Sequence, residues 1–260
     1  MGELGTIWRY PYWSDRRVRG IAADSNIDLS SRLQLGITSP ALLGAPQLQL
    51  TREPAAVQRH EMALRLERSI GQLAVEDLAT PPPARFVKGR GPITFAAYTR
   101  CYPEAAYLRQ GSSKRKARTK GVVIHTHAES SDGTRVEICL FASIENCAGF
   151  LLADQAPAPG WSSSSSEIIE EFLAFQGKRT ASLYDDDESI AVEILRTINN
   201  QGMTDSHVFK RIDSADCFAE VYHDVVLDHT RWNLEPCVDV PRPVDRIVIA
   251  APLWVRSDGS

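Results

Sequence analysis

Three residues on one short stretch have the types and spacing to bind a metal. His125, His127 and Glu129 stand at alternate positions. In an extended strand such side chains leave from one face, about 7 Å apart along the chain. Imidazole and carboxylate suit zinc, iron or manganese. This face is therefore the candidate for a divalent metal and, through it, for a metal-dependent hydrolase. The competing reading is structural, with both histidines held by polar partners within a sheet. A second constellation suits an anion. Ser14, Asp15, Arg16 and Arg17 lie where an aromatic strand hands over to a helix. A helix start offers free backbone N–H groups, and arginine adds charge. Ser143-Ile144-Glu145-Asn146 follows another strand. On a shared rim, Ser14, Asp15, Arg17, Ser143 and Asn146 would form a pocket for a phosphate or nucleotide. Ordinary capping and turn chemistry is the alternative.

Other polar groups have poorer geometry. His223 and His229 flank Asp224 and Asp228, but the adjacent His223 and Asp224 point to opposite faces of a regular strand. Asp185, Asp186, Asp187 and Glu188 are hard ligands that magnesium prefers. Consecutive residues at a helix start rarely converge on one ion, and they read as capping groups that oppose the helix dipole. The basic run at 114–120, KRKARTK, lacks the interleaved aromatics that base stacking uses. It reads as a solvated loop, and nucleic acid is not an expected partner. Cys147 in ENCAG has no basic neighbour in sequence to activate its thiol. The chain carries no G-x-S-x-G, P-loop, G-x-G-x-x-G or H-E-x-x-H signature. No cofactor is expected beyond the divalent metal that His125, His127 and Glu129 would hold.

The metal face needs a hairpin to present it. Residues 122–127 and 136–141 are rich in strand formers, with Asp132-Gly133 between them. Asp-Gly suits a two-residue type I′ turn, which requires positive φ at both central positions. That turn places His127 opposite Ile138, His125 opposite Leu140 and Glu129 opposite Val136. The other face then carries Val122, Ile124, Thr126, Cys139 and Phe141. Apolar on both sides, the hairpin belongs in the middle of a covered sheet. A slip of one residue would exchange the partners.

Around it the pattern predicts a strand at 6–13, edge or bulged at Pro11, and a helix from Ser14 to about residue 23. Residues 25–53 read as an irregular connection with a short strand at 47–50. Residues 54–78 predict the best helix, with Ala63, Leu66, Ile70, Leu73 and Ala74 at the helical period. One or two strands follow over 86–102. Ser164 and Glu167 have capping-box spacing before Ile168, Ile169, Phe172 and Leu173, and another helix starts at Asp185 and stops near Gly202. Strands at 219–227 and 246–250 follow, the second continuously apolar and therefore central, with 252–255 continuing it. The expectation is one α+β domain over 1–260, with a mixed or largely antiparallel sheet, a central hairpin and helices covering it.

Composition narrows the function classes. Over 260 residues, 43% are hydrophobic, enough for a sizeable core. A net charge of −4 gives no general attraction to phosphate backbones or membrane surfaces. No apolar run reaches the ~20 residues of a membrane span, and the N-terminus lacks a signal-peptide pattern. Five cysteines without a CxxC pair point to reduced thiols and a cytoplasmic setting.

Several blocks resemble an uncharacterised family of hypothetical proteins from filamentous actinobacteria. They are RYPYWSDRRVRGIA at 9–22, QRHEMALRLERSIGQLAVEDLATPPPARFVKG at 58–89, VEICLFASIENCAGFL at 136–151, AEVYHDVVLDHTRW at 219–232 and DRIVIAAPLWVR at 245–256. That family has no established activity, so the resemblance implies a cytoplasmic bacterial protein and transfers no catalytic residue. The leading expectation is a binding module for a small anion or nucleotide, or a protein-interaction or sensor module. The alternative is the metal-dependent hydrolase.

Overall fold

The computed structural model describes residues 8–29, 35–37, 48–50, 55–70, 73–75, 78, 84–101, 117–149, 169, 172–173, 186–199, 206–232 and 243–258. The capping-box pair Ser164 and Glu167, the residues Asp185 and Gly202, and residues 114–116 of the basic run lie outside them. The elements are β1 (Trp8–Trp13), α1 (Asp15–Asp24), β2 (Leu35–Ile37), β3 (Leu48–Leu50), α2 (Ala55–Ile70), β4 (Ala74–Val75), β5 (Phe86–Cys101), β6 (Ala117–Glu129), β7 (Arg135–Ala142), α3 (Asp187–Asn199), β8 (Ser206–Val226) and β9 (Arg246–Asp258). A 3-10 turn, Ile144–Asn146, follows β7. The fold is α+β. Among the described residues no helix is long and apolar enough to cross a membrane.

The main sheet closes on itself. β5 pairs with β6, β6 with β7, β7 with β9, β9 with β8, and β8 with β5 again. Only the β7–β9 pair of this ring is parallel. A ring has no free edge inside it. In chain order the five strands close as 1-2-3-5-4-1, with α3 between the third and fourth, which is the strand order of the OB-fold barrel. Strand order transfers no ligand. The small antiparallel β2–β3 pair stands apart, and β1 and β4 extend the main sheet on β9 and β5.

Alternation along the strands fills the ring. Val87, Ile93 and Phe95 of β5, Val122 and Ile124 of β6, Val136, Ile138 and Leu140 of β7, Cys217 and Ala219 of β8, and Val248 and Ala250 of β9 form one buried cluster. Gly89 shows how tight that interior is. A Cβ built there would lie 2.9 Å from Ile138 Cδ1 and 3.0 Å from Cys217 Sγ, so an alanine would fit only if those side-chain ends moved aside. The intervening side chains point outward. Val123, Cys139, Phe141, Ile247 and Ile249 pack under α3 and under Ile169, Phe172 and Leu173, which are helical. Phe86, Phe218, Leu253 and Trp254 pack under α1 and α2 through Val18, Ala22, Ala63 and Leu66.

The hairpin is present and central, flanked by β5 and β9, but its register differs from the expectation by one residue. His125 pairs with Cys139, His127 with Glu137 and Glu129 with Arg135. Cys139 and Phe141 therefore share the histidine face, and Ile138 and Leu140 face the barrel interior. The cause is the turn. Gly133 N bonds to Ser130 O at 3.0 Å, and Gly133 has φ of 84° while Asp132 does not have positive φ. Asp-Gly thus supplies the last two residues of a three-residue loop with a left-handed glycine, not a type I′ pair. The Asp132 carboxylate accepts from Thr134 N at 3.0 Å and from the Ser130 hydroxyl, fixing that loop.

Two further elements depart from expectation. α2 ends at Ile70, and Leu73, expected on its apolar stripe, is 48% exposed. Gly71 stands next in the sequence and disfavours helix by about 1 kcal/mol relative to alanine. β8 starts at Ser206, well before the expected residue 219, because β5 pairs with it from Ser206 onward. β1 is an edge strand with a register shift between Arg9 and Tyr12, where Pro11 cannot donate to the ladder.

Candidate functional site

The polar face of the hairpin is a network. Glu137 is 2% exposed and accepts from His125 Nε2 at 2.7 Å and from Arg135 Nη2 at 2.9 Å. Burial pushes its carboxyl upward, but the His125 hydrogen bond and charge and the Arg135 charge outweigh this and hold it below the ordinary 4.5. His125 therefore meets a carboxylate from across the ladder. Glu129 instead pairs with Arg135, is exposed, and lines a hollow of about 490 Å³ beside Lys88 and Arg90. Among the described residues no three His, Cys, Asp or Glu side chains come together as a metal-ligand group.

A depressed carboxyl stabilises the fold above its unfolded value and loses that contribution as pH falls through its folded value. The deficit of Glu137→Gln relative to the parent is thus expected at pH 7 and should shrink below about pH 4.5. Denaturant titrations of both proteins at pH 7 and pH 3 measure it. A deficit of the same size at both would contradict this account.

The two strand-end junctions do meet. Ala148 N donates to Pro11 O at 2.8 Å, Tyr12 bridges to Cys147, and Asn146 Nδ2 donates to the Tyr12 hydroxyl at 3.4 Å. Asp15, Arg17 and Asn146, however, turn to partners outside the set. Ser14 is buried, its N–H donates to Leu253 O at 2.8 Å, and its hydroxyl makes no cap. Asp15 accepts from Arg19 at 2.6 Å, and Arg17 donates to the Tyr222 hydroxyl at 2.6 Å and Glu220 at 3.3 Å. Ser143 O accepts from Asn146 N at 3.2 Å. Burial pushes the Tyr12 phenol up to about 12 despite Asn146, Ser143 and Arg17, so it stays neutral. The Cys147 thiol is likewise pushed up to about 12 by burial, which leaves no thiolate to attack at neutral pH.

The remaining polar clusters hold the structure together. His223 Nδ1 meets Asp187 at 3.5 Å, while Asp224 binds Arg246 at 2.6 Å. Asp186 caps α3 through Ser189 N at 2.7 Å, and Arg231 joins Asp186 at 2.6 Å to Glu188 at 3.2 Å. His229 donates to Asp245 at 2.9 Å.

What opens to solvent beside the junctions is a groove of about 750 Å³. One wall is β1, from Trp8 to Pro11, with Arg59 of α2. The opposite wall is residues 210–214 of β8, and Ser257 and Asp258 of β9 and Ala148 complete the lining. The Tyr10 hydroxyl contacts His60 Nδ1 at 3.1 Å, and Trp8 stacks on His60 with centroids 5.3 Å apart, tying α2 to β1. Both walls carry a register irregularity at the groove. In β1 it lies between Arg9 and Tyr12, and in β8 between Ile212 and Ala215. Bulges re-aim side chains out of the regular alternation. Arg9, Arg59, Lys210 and Arg211 line the groove, and among the described residues none of the four is ion-paired.

No protein-family model, curated protein or solved structure matches the chain. The groove's cations are scattered through the sequence, Arg9 and Arg59 singly and Lys210-Arg211 as a pair, inside otherwise ordinary stretches. Only Pro11, as a bulge marker, signalled one wall. In an OB-type barrel the outer face of the second and third strands is the usual ligand face. Here that face is packed under α3 at Val123 and Phe141 and tied up by Glu137 farther along.

Proposed function

We propose that the protein is a binding module for a small anionic ligand of the phosphate-bearing class, held in the groove between β1, α2 and β8. The observation that carries this reading is four cations, Arg9, Arg59, Lys210 and Arg211, around one open hollow without carboxylate partners among the described residues. Arg59 also lies over the Trp13 ring at 5.9 Å and Lys210 over the Phe95 ring at 6.0 Å, contacts that leave their charge unneutralised. Cations lining one concavity without carboxylate partners raise the local concentration of anions and contribute charge-assisted hydrogen bonds. In this reading the helices cover part of the barrel's outer surface, and the groove is where ligand enters. The chain is read as a cytoplasmic bacterial protein, in keeping with the free Cys139, Cys147 and Cys217 and with its resemblance to the actinobacterial family.

Calorimetric titration with inorganic phosphate and with ADP tests the reading. Binding should weaken as salt rises. The double variant Arg59→Ala/Arg211→Ala should lose about tenfold or more in affinity, the scale of one charge-assisted hydrogen bond. Absence of binding by any phosphate compound at millimolar concentration would remove the proposal.

A further inference from the structure

The groove holds more than cations, and its other groups narrow the ligand. Asp213 and Asp258 line it as well, both exposed and neither ion-paired among the described residues. Asp213 and Ser214 occupy the irregular stretch of β8, and Ser257 stands beside Asp258 at the end of β9. Ionised carboxylates accept hydrogen bonds and donate none. In a pocket meant for a bare anion they would only repel it. Their use is to accept from donors on the same ligand, which for a phosphate ester means hydroxyl groups.

The aromatic residues of the groove point away from base recognition. The Trp8 ring is already stacked on His60 at 5.3 Å, and the Arg256 guanidinium lies 5.1 Å from its centroid. Tyr10 is 6% exposed and meets Trp13 edge-on at 5.3 Å. Stacking a nucleobase needs a free ring face, and neither ring supplies an obvious one.

We infer that the ligand is a phosphorylated sugar or similar polyol phosphate, with Arg9, Arg59, Lys210 and Arg211 taking the phosphate and Asp213 and Asp258 accepting from its hydroxyls. This rests on the anion-binding reading above and adds the hydroxyl requirement to it. The carboxylates provide selectivity. Phosphate compounds without hydroxyls meet two uncompensated negative charges, and neutral sugars leave the four cations unsatisfied.

Titration of the intact protein with ribose 5-phosphate, inorganic phosphate, ribose and AMP decides it. Ribose 5-phosphate should bind about tenfold or more tightly than inorganic phosphate, the worth of one added charge-assisted hydrogen bond. Ribose should bind more weakly than either, and AMP no more tightly than ribose 5-phosphate. Asp213→Asn/Asp258→Asn, changes at exposed positions, should abolish the preference for ribose 5-phosphate while leaving inorganic phosphate bound as well or better. Equal affinity for ribose 5-phosphate and inorganic phosphate would overturn the inference and leave the anion site standing. So would AMP binding tenfold tighter than ribose 5-phosphate, or a preference that survives in the Asn variant. Failure of all the phosphate compounds to bind would overturn both readings.

Discussion

Asp224→Ala should cost the protein about 3–5 kcal/mol, the usual penalty for removing one partner of a buried ion pair. The Asp224 and Arg246 side chains are 1% and 2% exposed. Arg246 approaches the carboxylate with two nitrogens, Nε to Oδ1 and Nη2 to Oδ2, both at 2.6 Å. Its third nitrogen donates to Leu78 O, and Ala84 N donates to Asp224 Oδ2 at 3.0 Å. The pair thus fastens the chain at 78 and 84 to adjacent strands of the barrel, just ahead of β5. Removing the carboxylate strands a buried guanidinium and frees the Ala84 N–H. Against a total stability of roughly 5–15 kcal/mol for a typical domain, that is a large fraction. Chemical denaturation of parent and variant measures it. Replacing both partners, as Asp224→Leu/Arg246→Met, should recover part of the loss, because an apolar pair has no charge to desolvate. A cost below about 1 kcal/mol for the single change would show that solvent reaches the guanidinium.

How far the fold could be read follows from how local each cause is. The hairpin was legible because its strand formers and its Asp-Gly lie within one short stretch. Its register was not, because the choice between a two- and a three-residue loop is settled by Ser130 and Thr134 closing over Asp132. α1 was legible from Ser14 onward through Val18 and Ala22, both buried. The use of Ser14 was not, since its N–H is committed to Leu253, far along the chain. The first half of β8, with Lys210, Arg211 and Asp213 in it, lacks a strand's apolar alternation, and only pairing with β5 makes it a strand. Ring closure of the barrel is the most distant of these causes. It brings β8 against both β5 and β9, and so sets Lys210 and Arg211 opposite Arg9 and Arg59. No local pattern announces that meeting. The junction residues Ser14, Asp15, Arg17, Ser143 and Asn146 do not themselves line the groove, although Pro11 and Ala148, a few residues away in sequence, do.

Trp254→Ala should cost a comparable amount, about 3–5 kcal/mol for emptying a buried tryptophan site. Trp254 is 1% exposed and sits within a run of rings crossing four strands. Trp13 of β1 stacks on it at 5.8 Å, Phe218 of β8 stacks on its other neighbour side at 4.8 Å, and Phe86 of β5 stacks on Phe218 at 5.8 Å. Each such pair adds about 0.5–1.5 kcal/mol to the burial of its area. α1 and α2 rest on this run through Val18, Ala22, Ala63 and Leu66. The cavity would therefore loosen the strand that carries Arg9 and the helix that carries Arg59. The variant should bind phosphate compounds more weakly as well as unfold more easily, although Trp254 is not among the groove's lining residues. Trp254→Phe keeps a ring in the run and should retain most of both properties. Denaturant midpoints and phosphate titrations on the three proteins separate the two effects. Full affinity in a destabilised Trp254→Ala would mean that β1 and α2 hold their places without the aromatic run beneath them.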